Sequence, residues 1–134
     1  MRAIQHAGML ILFLATSAAT APDNSIRGLP PVVVQTVPRS GDSAVEPSVG
    51  EIRVTFSKDM LDQSWSWVIV TKESFPVRKD KPRFLEDHRT CVWPVVLEPG
   101  KTYAMWINTD RQTGFMDLDR HASVPYLLVF QTKK

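Results

Sequence analysis

A single cysteine, Cys91, excludes an internal disulfide framework and any thiolate cluster for zinc or iron–sulfur. Excess charge of one sign is also missing: 16 Lys and Arg face 14 Asp and Glu across 134 residues, a net +2. That field is too weak for binding along a phosphate backbone, so nucleic acid is excluded as a partner. No stretch carries a 3.6-residue apolar stripe of helical length, which removes amphipathic helices and the folds built from them. Histidine is scarce, at three, and there is no G-x-S-x-G elbow, so nucleophilic catalysis lacks visible members. What is present is ordinary globular composition: 43% hydrophobic and 22% charged residues exclude wholesale disorder and a collagen-like repeat.

Arg2 and His6 precede the uncharged stretch AGMLILFLATSAATA, residues 7–21, with an apolar centre and a small-residue end. This is the layout of a secretory signal peptide over residues 1–21, and its apolar part is about half of the roughly 20 residues a bilayer span needs. Cleavage after Ala21 or Ala19 is expected to release a secreted or periplasmic product of roughly 113 residues, enough for one domain. No cysteine follows the apolar run, so a lipoprotein anchor has no attachment point there. Residues 22–31 end in a proline pair and read as a short, extended, unpaired linker.

From Val32 the recurring period is two. Residues 32–37 are β-branched and stop at Pro38; residues 39–47, with Gly41, Asp42 and Pro47, form a long turn. Residues 51–56 alternate, with Ile52, Val54 and Phe56 on one side and Glu51, Arg53 and Thr55 on the other, the mark of a half-buried strand. After a break at 57–63, residues 65–71 resume the alternation with Trp65, Trp67 and Ile69 on one side. Residues 75–79 make a short edge segment, since Pro76 cannot donate to a ladder. Residues 83–86 and 90–96 flank the polar tip Glu86-Asp87-His88-Arg89 as a hairpin, and residues 103–108 and 125–132 are the last strands. Residues 109–124 between them are the longest irregular stretch. About seven short strands of this spacing predict a sandwich or small barrel.

Three stretches resemble bacterial Ig-like domains of the SbsA type. The first runs from Pro31-Val32-Val33-Val34 through Pro38, Gly41 and Val45 to Thr55-Phe56-Ser57-Lys58-Asp59-Met60, similar to a strand, a P-x-x-G turn and a strand ending in T-F-S-x-x-M. The second, Leu97-Glu98-Pro99-Gly100-Lys101-Thr102-Tyr103, resembles the L-x-P-G-x-x-Y corner of Ig-like and fibronectin type III domains; the third, residues 125–132, is similar to the terminal F-x-T strand. The resemblance implies an all-β, Ig-like β-sandwich of about seven antiparallel strands over residues 32–132. It also implies an architectural corner. Gly100 permits the turn after Pro99, Leu97 plugs the sandwich base, and the Tyr103 hydroxyl returns to a backbone group upstream. The opening is also similar to periplasmic copper-resistance proteins of the CopC type, which bind copper through an N-terminal histidine with later Asp and His. Here His6 leaves with the leader, and Asp110 and His121 are eleven residues apart rather than adjacent, so the ligand set lacks its strongest member.

The remaining candidates have ordinary readings beside functional ones. His88 and His121 lie in polar loops with no serine or acid partner evident, and read as exposed loop residues. Cys91 fits a strand as a buried, inert thiol. Asp117 and Asp119, with Asp110 and Asn108 upstream, could surround calcium, but the spacing is not that of a calcium loop and a solvated acidic turn fits better. Trp65 and Trp67 are expected in the core; facing outward they would instead form a strip for stacking on sugars or a protein partner. The expected protein is a monomer without catalytic centre, cofactor or metal, acting in structure, adhesion or recognition at the cell envelope. Its partner would be another envelope protein or a polysaccharide. The recognition surface is expected on Trp65, Trp67, Asp117, Asp119 and His121, at the 109–124 loop and the 86–89 tip.

Overall fold

A computed structural model of the chain describes residues 3–4, 8 and 10–134; residues 1–2, 5–7 and 9, with Arg2 and His6 of the expected signal peptide, lie outside the described residues. The described residues form eight strands: β1 (Val33–Val37), β2 (Glu51–Phe56), β3 (Trp67–Ile69), β4 (Val77–Arg78), β5 (Arg83–Phe84), β6 (Thr90–Val96), β7 (Thr102–Ile107) and β8 (Tyr126–Gln131). All named pairings are antiparallel. One sheet runs β1-β2-β6-β4 with β5 also on β6, and the other runs β3-β7-β8. β4 pairs with Val95 and Val96, β5 with Cys91 and Val92, so the two short pieces share one strand's place beside β6. That reconciles eight strands with the expected seven. The strand order is that of a constant-type immunoglobulin sandwich, A-B-E-D over C-F-G.

Alternation in the sequence becomes the core directly. Ile52, Val54 and Phe56 of β2 and Cys91, Trp93 and Val95 of β6 face Tyr103, Met105 and Ile107 of β7 and Leu128 and Phe130 of β8, all at most 3% exposed. The register places Ile52 opposite Trp93, and Met105 opposite Leu128. Met105 stands two residues after the corner tyrosine, where antibody domains carry a disulfide cysteine. Apolar packing fills the place of that bridge. The long turn at 39–47 lies along the outer edge of β8: Gly41 N–H donates to the Val129 carbonyl at 2.6 Å and Val45 N–H to that of Gln131 at 3.0 Å. Gly41 reaches this contact with φ at +88°, a conformation that disfavours a side chain.

Three expectations need correction. The linker over 22–31 is neither wholly extended nor unpaired: Gly28 and Leu29 N–H donate to the Ser25 carbonyl, and the Lys58 ammonium donates to the carbonyls of Arg27 and Leu29 at 2.9 and 2.8 Å. A cation 29 residues or more away in sequence gives the lead-in the partners its own residues do not. The strand expected over 65–71 shrinks to Trp67–Ile69, because Ser64 and Ser66 bond to Gly114 instead of a ladder and Thr71 turns the chain through Ser74. Residues 109–124 are not a free surface loop, as the next subsection describes.

Candidate functional site

β2 and β7 end, and β1, β6 and β8 begin, at one end of the sandwich, and residues 57–66, 85–89 and 108–125 meet there with the lead-in. Phe115 is fully buried in this end, its ring 5.0 Å from Phe56 and 5.4 Å from Trp67. Asn108 turns the chain out of β7 with φ at +60°. Its side chain then organises the connection: Nδ2 donates to the Phe115 and Ser123 carbonyls at 2.7 and 3.1 Å, and Oδ1 accepts from Phe115 N–H at 2.9 Å. Asn108 is fully buried and satisfied by the loop it organises, so it is no cation ligand. Gly114 follows because a Cβ there would clash with the Trp65 carbonyl oxygen.

Asp117 locks the same end. Its side chain is 3% exposed; Oδ2 accepts from Lys58 Nζ at 2.5 Å and faces His121 Nδ1 at 2.9 Å, while Oδ1 accepts from the N–H groups of Asp119 and His121. Burial works against the carboxylate, but the hydrogen bond from Lys58, those from the His121 backbone and ring, and the Lys58 charge together outweigh it and hold Asp117 down at about 2. Asp117 is therefore not part of a solvated acidic turn. Lys58 spends its three donors on Asp117 and two lead-in carbonyls.

The expected recognition residues separate. Asp117 is inside. His121 is half-exposed but bonded to Asp117, an acid partner that the sequence does not reveal. Asp119 is at the surface, 3.4 Å from Arg27. Trp67 packs on Trp93 and Phe115, and half-buried Trp65 packs against the same core, with part of each left at the surface. Trp67 and Trp93 keep buried indole N–H groups without an acceptor among the described residues. Asp110 lies beside Trp106, Thr109 and Pro125, while His121 faces Asp117. Among the described residues, no three or more His, Cys, Asp or Glu side chains gather as a metal site. At the 85–89 tip, Asp87 accepts from Arg89 and Thr90 N–H and from the Thr90 hydroxyl. Burial opposes its charge, but these bonds keep Asp87 below the usual carboxylate range.

At the opposite end, Glu98 N–H donates to the Tyr103 hydroxyl at 2.7 Å, Gly100 turns with φ at +63°, and Leu97 is 7% exposed. Tyr103→Phe leaves the Glu98 N–H without this acceptor and is expected to cost about 1–2 kcal/mol in urea unfolding. An unchanged midpoint would make the bond dispensable. Cys91 is fully buried, and burial pushes its thiol up to about 12. Iodoacetamide at pH 8 should therefore leave the folded protein unlabelled and label it fully in denaturant. Fast native labelling would contradict the packing of β6.

No family model matches the chain, and no curated protein matches it. Among solved structures it is similar to the S-layer protein rSbsC(31-844), with TM-score 0.50 and 20% identity over 81% of this chain. It is also similar to domains 1–6 of surface layer protein SbsC, with TM-score 0.50 and 19% identity, again over 81%. The chain spans 14% of the length of either. At this identity the likeness carries the fold alone, a two-sheet antiparallel β-sandwich. Among the described residues, no helix is long and apolar enough to cross a membrane.

Proposed function

We propose that the chain is an exported, non-enzymatic Ig-like module of the SbsA type that serves spacing, adhesion or recognition at the bacterial cell envelope. The observation that carries this reading is the likeness of the sandwich, over 81% of the chain, to an S-layer protein. The signal-peptide layout of residues 1–21 supports it independently, by directing the product across a membrane. Recognition on such a module works through surfaces of the packed domain, and the partner is another envelope protein or a polysaccharide. The product acts as a monomer in isolation.

Fractionation of bacteria expressing the full chain tests the reading, with intact mass measured on each fraction. The expected product is outside the cytoplasm and shorter by about 19–21 residues at its N-terminus. Full-length chain confined to the cytoplasm would overturn it.

A further inference from the structure

Between β3 in one sheet and β4 in the other lies a groove of about 390 Å³. That is within the range of roughly 300–1,000 Å³ typical of small-ligand sites. Its lining is aromatic: Trp65, Trp67, Phe75 and Trp93, with Phe75 5.4 Å and Trp67 5.0 Å from the Trp93 ring. Arg78 and Gln112, both exposed, also line it.

Charge narrows the occupant. Residues 72–83, which run past the groove, carry Lys72, Arg78, Lys79, Lys81 and Arg83 against Glu73 and Asp80, so 5 − 2 = +3. The whole chain carries +2, which leaves 2 − 3 = −1 for everything else. Near-neutrality overall thus hides one basic strip. Among the described residues none of these five cations is in an ion pair, whereas Arg27, Arg53, Lys58, Arg89, Lys101 and Lys133 all are. A fitting ligand offers flat C–H faces to the aromatic rings and a negatively charged oxygen acceptor to the exposed Arg78 guanidinium. A nucleobase would also stack, but a phosphate backbone demands a broader positive field than this chain has.

We propose that this groove binds an acidic polysaccharide, with a sugar ring stacked at Trp65 and a uronate carboxylate on Arg78. The inference deepens the envelope reading by naming a ligand class, and rests on that reading for where the glycan is met. Titrating the full chain with oligogalacturonate and hyaluronan oligosaccharides, followed by tryptophan fluorescence and calorimetry, tests it. At least one should bind and shift the emission, weaken with added salt, and bind about tenfold more tightly than neutral maltooligosaccharide. Trp65→Ala and Arg78→Gln should each weaken binding about tenfold. Trp65 packs against the core, so Arg78→Gln, on an exposed edge strand and expected to melt like the parent, decides alone if Trp65→Ala does not fold. The proposal is overturned by no binding to either acidic glycan at millimolar concentration or equal affinity for the neutral one. Undiminished binding by Arg78→Gln, or binding of oligodeoxythymidine or phosphatidylglycerol vesicles without either glycan, overturns it too. Loss of glycan binding with export intact would remove the ligand and keep the envelope role; binding without export would do the reverse.

Discussion

Phe115→Ala is expected to remove about 3–5 kcal/mol of folding stability, the usual cost of emptying a buried aromatic site. For a domain of this size that corresponds to a melting-temperature drop of roughly 12–20 °C. The cost is large because Phe115 is fully buried and touches three aromatic neighbours, Phe56, Trp67 and Phe84. Leu118, three positions along the same connection, is 63% exposed, so Leu118→Ala should change stability by no more than about 0.5 kcal/mol. Calorimetric melting of the two variants checks this. Equal, small losses would show the connection to be a surface loop after all.

The second large effect concerns the buried ion pair. Asp117→Ala leaves the Lys58 ammonium, with a side chain 11% exposed, and two backbone N–H groups without their acceptor. The expected cost at pH 7 is about 3 kcal/mol or more, the usual result of removing one partner of a buried pair. The same carboxylate makes stability fall with acid. Its folded pKa is about 2, below the ordinary 3.8, so between these values the unfolded chain binds more protons than the folded one. The stabilisation is fully present above about pH 5 and is lost as pH falls through 2, amounting to about 2 kcal/mol. Asp87 is shifted the same way and contributes in the same direction. Urea unfolding of the parent and Asp117→Asn should therefore converge as pH is lowered from 6 to 2. Parallel curves would mean that Asp117 titrates normally in the folded protein.

What could be read from the sequence divides along a physical line. β2 and β6 have the expected bounds, residues 51–56 and 90–96, because alternation puts Ile52, Val54 and Phe56 on one side of β2 and Cys91, Trp93 and Val95 on one side of β6. The corner from Leu97 to Tyr103 is equally local, since its donor and acceptor are five residues apart. The other end of the sandwich depends on partners 59 residues apart in the case of Lys58 and Asp117, and 48 in that of Ser66 and Gly114. Nothing in the composition of residues 109–124 marks Phe115 as a core residue or Asp117 as buried. Their polar neighbours Asp110, Arg111, Gln112, Asp119 and Arg120 give the segment the look of a solvated loop.

A lone signal was available in Asn108. An asparagine directly after an alternating strand favours the left-handed turn it adopts, and its side chain can satisfy backbone groups of a following loop. Trp65 and Trp67 pack against the core as their spacing predicts, but Trp65 precedes the strand, and the two also contribute to the groove with Phe75 and Trp93 from other elements. The basic strip at residues 72–83 was masked by the near-zero total charge.

The connection from β7 to β8 packs as a wall of the sandwich through Asn108, Phe115 and Asp117 and does not stand free as a surface loop. Native-state amide hydrogen exchange tests it most directly. The N–H groups of Phe115, Asp117 and Ser123, which bond to Asn108 Oδ1, the His121 carbonyl and the Phe115 carbonyl, should exchange only as slowly as the central strands β2 and β7. Exchange of all three at the rate of an open loop, with β2 and β7 still protected, would contradict the account.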